Sequence, residues 1–120
     1  MSIVFRGVRY RGAIAGRTGH TQVRMIGEGQ AHDLPVRLDV VNHSPTGFEW
    51  GYGGSGPAQL ALAMLLALGV EPSRATLWHQ DVKRELVAPL DDDEWEIAGD
   101  DVLRALEAAE HGETLRGRDA

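Results

Sequence analysis

The chain has 120 residues, 42% hydrophobic and 25% charged; this is the size and make-up of one globular domain and excludes a two-lobed enzyme, a disordered acidic protein and a membrane span. It contains no cysteine, which removes disulfides, thiol nucleophiles and cysteine zinc sites. The net charge of −6 is divided unevenly, with six arginines against four acids in residues 1–57 and six basic residues against fourteen acids in residues 58–120. That balance disfavours non-specific nucleic-acid binding but leaves room for a small arginine-lined site for one anion. Residues Met1 to Arg6 lack a basic stretch leading into an apolar one, so the expectation is a cytoplasmic protein without a membrane anchor.

Three strands are predicted first. In Ile3–Arg11, Val8 and Tyr10 alternate with Arg9 and Arg11, a period of two that places both guanidinium groups on one face, taken as the wet one. Thr21–Ile26 repeats the pattern with Val23 and Met25 opposite Gln22 and Arg24, and the glycines at 27 and 29 supply a turn. Val36–Val41 reads as a third strand burying Val36, Leu38 and Val40. Phe48, Trp50 and Tyr52 alternate with Glu49 and Gly51, so a short fourth strand would send three aromatics to one side.

A glycine-rich loop, Gly53-Gly54-Ser55-Gly56, then leads into Pro57, which marks a helix start capped by Ser55 or Gly56. Residues 57–68 are apolar all round except for Gln59, the mark of a buried helix, and Gly69 closes it. A second helix, amphipathic, is predicted from about Ser73 to Ala88, with Leu77, Trp78, Val82 and Leu86 recurring near helical spacing. The acidic run Asp91–Glu94 reads as a solvated turn and Trp95–Ile97 as a short edge strand. A third helix starts near Gly99 or Asp100 with Val102, Leu103 and Leu106 on one face. The predicted architecture is a single α+β domain over 1–109: a small antiparallel sheet of three to five strands packed against a buried apolar helix of about 57–68, plus two further helices. Residues 110–120 are expected to form a flexible polar tail.

The glycine-rich loop is the feature with the most mechanical content. Glycines between a strand and a helix N-terminus allow positive φ, Gly54 and Gly56 being the positions singled out, and let backbone N–H groups converge on an anion. Yet the segment lacks the Lys-Ser/Thr of a nucleoside-triphosphatase loop and only partly matches the dinucleotide spacing. The candidate ligand-binding residues are Trp50, Tyr52, Gly53, Gly54, Ser55 and Gly56, with Arg9 and Arg11 from the preceding sheet. The alternative is that the glycines only route the chain tightly into the buried helix.

The five histidines show no metal-ligand spacing, and neither a metal site nor a cofactor is expected. His43 with Ser44 or Glu49 offers a nucleophile–base arrangement on proximity alone, without a Gly-x-Ser-x-Gly elbow.

The stretch NHSPTGFEWGYGGSGPAQLALAMLLALG, Asn42 to Gly69, resembles the signature of an uncharacterised family of small proteins from bacteria, archaea, plasmids and phages, with the resemblance extending over residues 3–107. It implies no activity; occurrence on mobile elements implies an accessory or anti-defence role. Three functions follow as expectations. The first is a non-enzymatic binding module for an anionic small molecule or nucleotide. The second is an inhibitor of a host protein acting through the acidic C-terminal half, and the third a small hydrolase using His43.

Overall fold

A computed structural model of the chain describes residues 2–10, 20–44 and 47–119, with side chains through Gly112. Arg11 and the predicted breaks at Gly12 and Gly16 lie outside the described residues. Among the described residues the fold is α+β, a four-stranded antiparallel sheet with three helices.

Strand β1 (Val4–Tyr10) pairs with β2 (His20–Gly27) on one side and with β4 (Glu94–Ala98) on the other, and β3 (Gln30–Asp33) extends β2 in the order β3-β2-β1-β4. The β2–β3 turn is formed by Glu28 and Gly29 at φ 52° and 77°, the left-handed pair that matches the twist of a tight hairpin. The expected edge strand around Trp95 is present as β4.

The inner face is set by Phe5, Val23, Trp95 and Ile97, all buried. Gly7 sits between Phe5 and Arg9 on that face because the Trp95 indole covers it: a Cβ there would lie 2.3 Å from the ring. This reverses part of the predicted alternation. Arg9 shares the inner face with Phe5, while Val8 and Tyr10 point outward, since the largest apolar residue of the strand decides which parity is buried.

Helix α1 (Ser55–Ala67) is buried from Gly56 to Leu66. It ends in a Schellman motif, with Val70 N–H donating to Leu65 O (3.1 Å), Gly69 N–H to Leu66 O (3.0 Å), and Gly69 at φ 85°. Helix α2 (Pro72–Val82) starts on its proline and continues as a π-helical turn over Lys83–Val87, closed by Ala88 N–H to Lys83 O at 2.8 Å. Helix α3 (Gly99–Asp119) follows β4 directly, its first residue donating to Ile3 O at 2.6 Å. Among the described residues no helix is long and apolar enough to cross a membrane.

Two predicted strands are absent. Residues 36–41 are irregular: Arg37 adopts φ 60°, Val40 N–H turns back to Arg37 O, and the Val36 carbonyl accepts from the buried Gln59 side chain. The third strand is instead the wholly exposed Gln30–Asp33, which carries no apolar alternation and is placed by its hairpin turn. Residues 48–52 are also irregular. Gly51 at φ 88° breaks the extension, so Phe48 and Trp50 are buried while Tyr52 is half exposed.

Candidate binding site

Strand β3 pairs only with Arg24–Gly27 of β2, and the last link between them is Leu34 N–H to Val23 O at 2.9 Å. The remaining edge of β2, His20–Val23, therefore faces the chain that leads into α1. Thr21 holds that chain in place by donating its hydroxyl to Phe48 O at 2.7 Å. Between the two runs lies an open cavity of about 490 Å³, within the roughly 300–1,000 Å³ range of small-molecule sites. Its sheet wall is His20, Thr21 and Gln22, with Asp33 at the end of β3; the opposite wall is Ser44, Phe48, Glu49 and Tyr52, and Gly56 of α1 closes one end.

Polar contacts hold the second wall. Arg9 donates to Glu49 Oε1 (2.6 Å), Asp93 Oδ1 (3.0 Å) and Trp50 O (3.2 Å), and its guanidinium stacks over the Trp50 ring at 4.7 Å. Two carboxylates raise its pKa against the opposing pull of burial, which is the largest single influence. Trp50 is itself buried, edge-on to Trp95, with its Nε1–H donating to Asp92 O at 2.9 Å. The acidic run expected to be simply solvated thus fastens the segment: Asp92 through its carbonyl, Asp93 through its carboxylate and through its carbonyl, which takes the Arg9 N–H at 2.7 Å.

On the helix side, fully buried Gln59 accepts from His43 N–H (2.8 Å) and donates to Val36 O (2.7 Å). His43 Nε2 lies 2.8 Å from His79 Nε2. His79 Nδ1 faces the carbonyls of Thr76 (2.8 Å) and Ala75 (3.2 Å), so it carries the proton and leaves Nε2 to accept from His43. Burial, and then the charges of His43 and Lys83, push the His79 pKa down against the carbonyls that favour protonation. Lys83, also buried, donates from Nζ to Gly53 O at 3.1 Å.

The glycine-rich loop differs from expectation in its mechanics. Gly54, not Ser55 or Gly56, is the N-cap of α1, with φ −100° and no side-chain cap. Neither Gly54 nor Gly56 has a left-handed φ; Gly51 does, and a Cβ there would also meet Leu90 O at 2.8 Å. Gly56 is required for space, because a Cβ would lie 2.7 Å from Glu49 Cβ and 3.1 Å from Glu49 N. Gly53 and Ser55 are exposed.

Of the candidate residues, Tyr52 and Gly56 line the cavity, Gly53 and Gly54 lie on the loop between them, and Trp50 and Arg9 brace the wall from behind. Arg11 lies outside the described residues. His43 is brought to His79, and Glu49 to Arg9. Among the described residues no group of three or more His, Cys, Asp or Glu side chains could hold a metal. Gln59, His79 and Lys83 support the loop without any periodic signal in the sequence, except that Gln59 is the single polar residue in an otherwise apolar helix.

The chain matches the model of a family of unknown function, DUF6166, over residues 5–108, and belongs to that family. No curated protein and no solved structure matches it.

Proposed function

We propose that this member of DUF6166 is a non-catalytic binding module that takes a small polar ligand in the cavity between β2 and the glycine-rich segment. The observation that carries the reading is the cavity itself: one wall is formed by Ser44, Phe48, Glu49, Tyr52 and Gly56, on a chain that partly buried polar contacts from β1, α1 and the π-helical turn hold in place. Preorganised walls reduce the ordering cost of binding.

The lining favours one class of ligand. Asp33 and Glu49 contribute carboxylates, Thr21 and Ser44 hydroxyls, Gln22 an amide, and half-exposed Tyr52 an aromatic face. Arg9 is already neutralised by Glu49 and Asp93. A hydrogen-bond-donating, uncharged or cationic molecule such as a nucleoside, a sugar or an amine suits that surface better than a free phosphate.

Thermal-shift measurements against nucleosides, monosaccharides and polyamines test the proposal. A true ligand at a hundredfold its Kd stabilises by about 2.7 kcal/mol. Tyr52→Ala, at an exposed position, is expected to fold normally and to lose that stabilisation. Absence of any shift across the panel, or full retention of it in Tyr52→Ala, overturns the reading.

A further inference from the structure

The opposite face of the sheet carries no helix among the described residues. Its residues come from β1 (Val4, Arg6, Val8, Tyr10) and their partners on β2 (Ile26, Arg24, Gln22, His20). Arg6 stands directly across from Arg24, with Asp33 beyond Arg24 on β3 and Glu96 beyond Arg6 on β4. The row across all four strands therefore reads acid, arginine, arginine, acid.

Like charges directly opposite one another on neighbouring strands destabilise a sheet, a cost that the flanking acids, Asp33 and Glu96, offset only in part. Arg24 is only loosely claimed by Asp33, at 3.5 Å in an exposed pair. Arg6 makes no ion pair within 4 Å among the described residues. With its amide oxygen turned toward Arg24, Gln22 accepts from Nη2 (3.2 Å) and Nε (3.3 Å), which orients that guanidinium.

Around the pair is an open depression of about 370 Å³ lined by Arg6, Arg24, Gln22, Val8, Ile26 and Tyr10. The Tyr10 ring lies nearly parallel to that of His20, centroids 6.2 Å apart. We propose that this face is an anion site in which Arg6 and Arg24 together hold the phosphate of a mononucleotide while its base lies along Val8 and Tyr10, on one side of the arginine row.

Two guanidinium groups side by side match the oxygens of one phosphate. The apolar and aromatic lining beside them gives a planar ring a place that an inorganic anion would leave empty. A nucleic-acid strand suits the face less well, because Asp33 and Glu96 end the positive row on both sides after two residues, and a strand needs a continuing run of cations. The site borders the cavity of the preceding section along His20, Gln22 and Asp33, but it is built on Arg6 and Arg24, which do not line that cavity, and does not depend on it.

The test is an amide NMR titration of the full chain with adenosine 5′-monophosphate, with adenosine, inorganic phosphate and a short single-stranded oligonucleotide as comparison arms. The expected result is shifts centred on Arg6, Val8, Tyr10, Gln22 and Arg24. Arg6→Gln and Arg24→Gln, both at exposed positions, should each weaken binding of the monophosphate tenfold or more and leave the rest of the spectrum unchanged. Adenosine and phosphate should each bind at least tenfold more weakly than the monophosphate. Several outcomes overturn the proposal: no binding, shifts confined to residues 47–56, unchanged affinity in both variants, phosphate binding as tightly as the nucleotide, or an oligonucleotide binding more tightly.

Discussion

The inner face of the sheet and the chain at 42–44 and 47–54 lie on either side of the site, yet they are held by different physics. At the sheet, Phe5, Val23, Trp95 and Ile97 are buried apolar side chains, whose contribution is non-directional and independent of pH. At the segment, the attachments are Gln59 to His43 and Val36, His43 to His79, Lys83 to Gly53, and Arg9 to Glu49. Hydrogen bonds fix position more narrowly than apolar contact, and they fail more completely when one partner is lost. A segment with so many glycines presents little side-chain surface to bury, so polar anchors are what remains to locate it.

That contrast predicts a graded set of responses. The largest belongs to the sheet. Phe5→Ala should cost about 3–5 kcal/mol, the usual range for emptying a buried aromatic site, and chemical denaturation should show the whole domain losing stability together. If the loss were confined to one region, the sheet would not be the common core.

Gln59→Leu keeps the volume and apolar environment of α1 but strands the His43 N–H and the Val36 carbonyl. An expected cost of about 2–3 kcal/mol follows from the low end of the roughly 1–3 kcal/mol for each group left unpartnered, because both bonds are only partly buried. Hydrogen exchange should quicken most in residues 36–56, and uniform quickening would erase the distinction between the two regions.

The glycines sharpen the comparison further. Gly51→Ala places a Cβ at φ 88° and 2.8 Å from Leu90 O, an expected loss of about 1–2 kcal/mol from the left-handed backbone alone. Gly53→Ala meets open space without a left-handed φ and should change stability by less than about 0.5 kcal/mol. Equal losses at both positions would show that the loop needs glycine throughout, rather than at its turn.

The last effect, the dependence on pH, rests on one titrating side chain. Because burial lowers the His79 pKa in the folded protein, the unfolded chain takes up the proton first as the solution is acidified. Stability is therefore full above the ordinary histidine range near 6.5 and declines as pH falls from there toward the lowered folded-state value. One proton sets a ceiling of about 1.4 kcal/mol per pH unit on the slope. Neighbouring His43 and the Lys83 ammonium act in the same direction, and no carboxylate pairs with either imidazole among the described contacts. Melting temperatures of the parent and His79→Gln between pH 5 and 7.5 should differ in slope, the variant being flatter; parallel curves would remove His79 from the account.

The sequence by itself determined the local elements whose signals are local. Apolar residues on all sides of 57–68 made α1 a buried helix, Gly69 ended it, the glycines at 27 and 29 made a hairpin turn, and the period of two marked β1 and β2. Together these were enough for an α+β fold with an antiparallel sheet. Tertiary structure decided what depends on partners far along the chain. Which face of β1 carries Arg9 followed from Phe5 meeting the helices and from Trp95 of β4 covering Gly7. Whether 36–41 and 48–52 became strands was settled by Gln59 drawing in the Val36 carbonyl and by the left-handed turn at Gly51. Residues as distant as Arg9, Glu49 and Asp93, or His43 and His79, form single clusters only once the chain is folded. Periodicity describes one element at a time, whereas a charge is neutralised, or a buried amide satisfied, by whatever group the fold brings within 3 Å.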